Sequence, residues 1–157
     1  MMRSPGPTLL RLWQRLLPLP GGSWLFSRFF GWRVPYSGSV RPHIRVLAPG
    51  HAEVEIPDRR ANRQHLGSIH AIALLNVAEQ ASGLALLTGL PDGIRGIVTQ
   101  ISMQYLKKAR GTIRAVSRVV APAVTGDIEF DVTVDCLDRS GDTVARATVR
   151  WRLGTQR

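Results

Sequence analysis

From Val40 onward the chain is dominated by apolar–polar alternation, interrupted once by a long stretch that is apolar on almost every side. Val40 to Leu47 and His51 to Ile56 flank Ala48-Pro49-Gly50, a turn sequence, and predict a hairpin. Ser68 to Leu87 predicts a buried helix, because no broad polar stripe divides its surface. Gly89, Leu90 and Pro91 end it, and Ser68 is the expected N-cap. After Pro91-Asp92-Gly93, Ile97 to Tyr105 predicts a strand with Ile97, Thr99, Ile101, Met103 and Tyr105 on one face. Thr112 to Val120 predicts another strand. Asp127 to Cys136 has the cleanest period of two, with Ile128, Phe130, Val132, Val134 and Cys136 inward. Arg139-Ser140-Gly141-Asp142 predicts a turn, and the last strand sets Ala145, Ala147, Val149 and Trp151 opposite Arg146, Arg150 and Arg152.

The order is thus two strands, one long apolar helix and four strands, the later ones joined by short turns that favour antiparallel neighbours. A sheet with one apolar face needs a cover, and a buried helix needs a wrapper. The expected fold is α+β: a curved antiparallel sheet wound around one long apolar helix. Ahead of it, Pro7 to Leu17 predicts a short amphipathic helix with Leu9, Leu12, Trp13 and Leu16 on one face and Arg11 and Arg15 on another. Pro18, Pro20, Gly21 and Gly22 break it. Ser23 to Gly31 reads as a second short, aromatic helix, a lid or a dimer contact. The expected organisation is a basic amphipathic segment, residues 1–22, followed by a single domain, residues 23–157. The first segment is read as a helix docked on the domain or touching a membrane surface, in preference to an Arg-rich presequence. Arginines interrupt its apolar run, which argues against a secretory signal. No segment reaches the roughly 20 apolar residues of a membrane span.

Composition changes this picture only a little. A hydrophobic share of 44% in 157 residues suits one globular domain and excludes disorder as the class. Cys136 is the only cysteine, so neither an internal disulfide nor a cysteine-rich zinc site is available, and its place in a strand pattern marks it as core. The net charge of +10 is unevenly spread: residues 1–50 hold seven arginines and no acid. The body is only mildly basic, which argues against nucleic acid as a partner and for an anionic surface or ligand.

The chemistry-bearing residues cluster around the long helix. Asn76, Glu79 and Gln80 interrupt its apolar middle. A carboxylate there is costly unless paired, and such groups concentrate at functional sites, although a structural bond across an interface is the plainer reading. Asn76, three residues before Glu79, either orients water or substrate or is a satisfied interface group. Asn62, Gln64, His65, Ser68 and His70 crowd the helix entrance. His65 and His70 lack a fitting acid nearby, so a metal site is not expected. The helix start offers free N–H groups and a positive dipole end suited to an oxyanion, with Ala71 and Ile72 as backbone donors. Lys107, Lys108 and Arg110 follow the central strand and suit phosphate binding as well as they suit a solvated strand end.

His70 precedes Glu79 by nine residues and Gln64 precedes His70 by six. With this element order, the pattern resembles the hotdog-fold thioesterase superfamily, its phenylacetate-degradation type in particular, over roughly residues 24–153. Pro35-Tyr36-Ser37-Gly38, Asn62 to Glu79 and Tyr105 to Gly111 are similar to an uncharacterised bacterial branch of it. The resemblance implies a cytoplasmic homodimer or tetramer that hydrolyses acyl thioesters. Coenzyme A or an acyl-carrier prosthetic group would be part of the substrate, and no separate cofactor is needed. It implies Glu79 as base or nucleophile, with His70, Asn62 and Gln64 beside it in the catalytic group. Ser68, His65 and Asn76 would join Ala71 and Ile72 in oxyanion and substrate binding, while Lys107, Lys108 and Arg110 would hold phosphates. One departure stands out: Ala71 and Ile72 replace two glycines that follow the histidine in better-known members. Nine helical residues put Glu79 half a turn and about 13 Å from His70, so the two cannot act together within one helix. The resemblance implies that they meet across two subunits. A hotdog dehydratase or hydratase, or a non-catalytic acyl-thioester-binding protein, are the alternatives.

Overall fold

In the computed structural model, which describes residues 5–155, the expected sheet and helix are both present. The strands are β1 (His43–Ala48), β2 (His51–Ile56), β3 (Ile94–Tyr105), β4 (Ile113–Arg118), β5 (Ile128–Leu137) and β6 (Thr143–Thr155). They form one antiparallel sheet in the order β1-β2-β4-β5-β6-β3, so β1 and β3 are its two edges. The helices are α1 (Pro5–Leu16), α2 (Gly22–Arg33), the single turn α3 (Pro35–Gly38), and α4 (Ala71–Gly89). α4 lies against the inner face, chiefly on β2, β4 and β5.

The inner face is built from the alternation read in the sequence. Val132, Val134, Cys136, Ala145, Ala147 and Val149 are buried against Val77, Ala78, Ala81 and Ala85 of α4. Burial pushes the Cys136 thiol up to about 12, with the Asp135 charge adding to it, so the cysteine is an inert core residue. Small residues bring helix and sheet close: a Cβ on Gly83 would stand 3.1 Å from the Trp151 ring. On the outer face Arg146 and Arg150 each grip an aspartate of β5, Asp135 and Asp131, with two nitrogens. Contrary to the sequence expectation that no segment is long and apolar enough to span a membrane, α4 has that length and apolar composition, but most of it is buried inside the fold.

Two local expectations change. The N-cap of α4 is His70, not Ser68, and the helix starts at Ala71; Nδ1 of His70 accepts from the Ile72 N–H at 3.0 Å. Ser68 instead lies in a loop knotted by Gln64 N–H to the Ser68 carbonyl, 2.8 Å, which keeps it out of helical geometry. In β3, Thr99 forms a bulge between Val98 and Gln100, and the alternation changes phase there. Ile101 and Met103 pack on the core as expected, but so does Val98, whereas Ile97 is 66% exposed and faces the Arg152 side.

The front segment is docked. The Trp13 ring meets Phe26 of α2 edge to face at 5.2 Å, and Leu9, Leu12 and Leu16 pack on the core. Gly6 sits so close to the Leu87 carbonyl that a Cβ would overlap it. Ser27 of α2 accepts from the Ile44 N–H at 2.8 Å and fixes α2 to β1.

Candidate active site

Two cavities lie along α4, and they share no lining residue. The first is an open cleft of about 570 Å³ at the helix N-terminus, lined by Gln64, His65, Ser68, His70 and Ala71 together with Tyr105, Lys107 and Lys108. Two stretches 40 residues apart in sequence are joined there by Ile69 N–H donating to the Ala109 carbonyl, 2.8 Å. The second is an apolar cavity of about 230 Å³ whose lining includes Glu79, Leu9, Phe30, Val34, Leu87 and Trp151.

The entrance loop is held by its own polar side chains. Asn62 is buried, and its amide donates to the carbonyls of Val40 and Pro57 at 2.9 and 3.0 Å. Its backbone carbonyl accepts from the His70 N–H at 2.8 Å, so Asn62 places the N-cap. Gln64 donates to the Ser68 hydroxyl at 2.7 Å and accepts from the Leu66 N–H at 2.6 Å. His65 and His70 are exposed to the cleft. Because Nδ1 of His70 accepts a hydrogen bond, its neutral ring carries the proton on Nε2, a donor available to a ligand.

Of the two expected backbone donors, the Ile72 N–H is used by His70, while the Ala71 N–H has no partner among the described residues. The Ile72 side chain is 50% exposed beside them. Tyr105, which the sequence reading placed on a strand face without a role, donates its hydroxyl to the Ala71 carbonyl at 3.2 Å. Burial raises the Tyr105 phenol, with Cys136 adding to it, so it acts as a neutral donor. Lys107 bridges Asp138 and Asp142 at 2.9 and 2.6 Å, whereas no described carboxylate pairs with Lys108 or Arg110. Arg110 does not line the cleft.

Glu79 is the exception among the polar groups of α4. Asn76 donates to the Tyr36 carbonyl at 3.2 Å, and Gln80 donates to the Ser37 carbonyl at 3.2 Å and to Asn76 Oδ1. These two amides tether α3 within the chain, although Gln80 Oε1 is buried without a partner among the described residues. Glu79 has no such partner: no described cation pairs with it and no described donor bonds it. Loss of solvent in the apolar cavity raises its carboxyl above the ordinary range. An unpaired carboxylate whose proton affinity is raised by burial at the wall of an apolar cavity is suited to general-base chemistry on an apolar ligand.

A family model described as a domain of unknown function, DUF4442, matches residues 22–153. The chain belongs to the DUF4442 family. The matched span begins with the first residue of α2, and α1 lies ahead of it. The DUF4442 chain superposes on a structural-genomics crystal structure at a TM-score of 0.82 with 32% identity, covering 95% of this chain and 99% of that one. A probable thioesterase of unknown function from Pseudomonas aeruginosa follows at 0.76 and 23%, covering 88% and 97%. A hypothetical thioesterase from Streptococcus pneumoniae, solved with coenzyme A, gives 0.62 and 24%, covering 74% and 90%. No curated protein matches. The fold is the hotdog fold, as the resemblance implied; the phenylacetate-degradation branch is not singled out.

Proposed function

We propose that the protein hydrolyses acyl thioesters at a site assembled from two subunits. The unpaired Glu79 in its apolar cavity carries the reading. The acyl chain lies in that cavity, and the thioester carbonyl reaches the α4 N-terminus of the other subunit, where the Ala71 N–H and the positive helix end face the developing oxyanion. Glu79 takes a proton from water as the hydroxide forms a bond to the carbonyl carbon. The tetrahedral intermediate then expels the sulfur, which takes the proton held by Glu79, leaving a carboxylic acid and a free thiol. The His70 Nε2–H and Tyr105 orient the thioester, and Lys108 faces the phosphates of its carrier. The coenzyme A in the Streptococcus relative supports that choice of carrier.

The edge strand β3 supports the dimer. It pairs only with β6, leaving one backbone edge open over twelve residues, and its inner residues Val98, Ile101 and Met103 are only half covered. An open edge of that length is a pairing surface, and two-fold pairing of β3 with its copy closes it.

The decisive experiment is thiol release from a panel of acyl-coenzyme A esters by the native protein and Glu79→Ala. Turnover lost in the variant, with fold and assembly kept, supports hydrolysis by this site. Tight acyl-thioester binding without turnover in either protein would replace the hydrolase with a binding protein, the reading favoured by the occupied Ile72 N–H. A shifted double bond without thiol release would point to hydratase chemistry.

A further inference from the structure

We infer that the outer face of α2 is a docking surface for an anionic phospholipid membrane, independent of whether the chain hydrolyses thioesters. α2 is apolar on both sides. Phe26 and Phe30 are buried inward, and Ser27 ties that side to β1. Leu25, Phe29 and Trp32, at spacings of four and three, share the opposite side and point away from the protein. Trp32 is 74% exposed, more than any other tryptophan. A row of this kind on a monomer surface marks an interaction site.

Charge selects the partner. Arg28 and Arg33 flank the row, and neither takes part in an ion pair among the described residues. No acid occurs before Glu53, so the whole helical layer is positive without internal neutralisation. The strand arginines differ: Arg146 and Arg150 are matched to acids on the sheet. Leu17 and Leu19, exposed in the turn between α1 and α2, extend the apolar surface of the same layer. Apolar and aromatic side chains between unpaired arginines suit the boundary of headgroups and acyl chains. A second copy fits less well, because the open edge β3 lies at the far side of the sheet from β1, where α2 sits. Pairing through β3 leaves this face free.

The test mixes the full-length chain with vesicles of phosphatidylglycerol and phosphatidylcholine, or phosphatidylcholine alone, and follows cosedimentation and tryptophan emission. The expected result is binding to the anionic vesicles with a blue shift, the shift being lost in Trp32→Phe. Arg28→Gln with Arg33→Gln is expected to weaken partitioning at least about tenfold. Trp32→Ser is expected to abolish binding while thiol release from soluble substrates, circular dichroism and sedimentation coefficient stay unchanged. Absence of binding to anionic vesicles, or binding indifferent to these substitutions, would overturn the proposal. A Trp32→Ser protein of smaller assembled mass would overturn it too, by assigning the face to a second copy.

Discussion

Glu79 is held in a place where its charge is costly, and this has consequences at the level of one side chain. Burial raises its carboxyl, so over a window starting at the ordinary carboxylate range the native state keeps a proton that the unfolded chain has lost. Its contribution to stability therefore falls as pH rises through that window. Glu79→Gln, which removes the ionisation, is expected to raise the midpoint of thermal unfolding near neutral pH while abolishing thiol release. Calorimetry beside the activity assay separates the two effects. The rate is also expected to rise with pH through the raised carboxyl range and then level off, and a rise confined to the ordinary range would remove Glu79 as the base. Asn62 shows the opposite economy, because its side-chain amide fastens two loops while its backbone carbonyl holds the N-cap of α4. Asn62→Ala leaves two carbonyls without their donor and is expected to cost about 1–3 kcal/mol, read by urea unfolding.

The elements themselves were largely legible in the sequence, because strands with one buried face alternate and a wrapped helix does not. The strands from β4 to β6 follow that rule, and so do the inward residues named for β5. What periodicity misses is anything decided by a single backbone bond. The Thr99 bulge moved Ile97 to the outer face, and a loop hydrogen bond at Ser68 delayed the helix to His70. The candidate site divides in the same way. Glu79 and the crowded helix entrance stand out by chemistry, but apart from the Gln80–Asn76 bond the partners of Asn62, Asn76 and Gln80 are backbone carbonyls 5 to 43 residues away, which carry no side-chain signal. The cavity beside Glu79 depends on α1 and α2; the amphipathic pattern of α1 pointed to docking, but no local pattern reveals where the two helices dock. Gly6 is where α1 touches α4. Gly6→Ala is expected to lift α1 and open that cavity without unfolding the sheet, seen as a red shift of Trp13 emission and weaker discrimination among acyl chains.

At the scale of the whole molecule, the proposed assembly would take two half-sites from each chain and close the long sheet edge of β3. Ser102→Lys with Gln104→Lys places like charges along the proposed β3 pairing, on residues that are exposed in the single chain. The expected outcome is a folded monomer by sedimentation velocity, with thiol release falling in parallel; a dimer that persists would mean that subunits meet elsewhere. The wrapping of α4 also has a consequence in time. During synthesis, residues 71–89 emerge when only β1 and β2 precede them, while β4 and β5, which complete the cover, lie 24 or more residues downstream. For that interval the nascent chain displays a helix with the length and apolarity of a bilayer segment. Ribosome-bound chains halted between β3 and β4 should therefore be avid clients of chaperones, and release of the remaining strands should end that engagement.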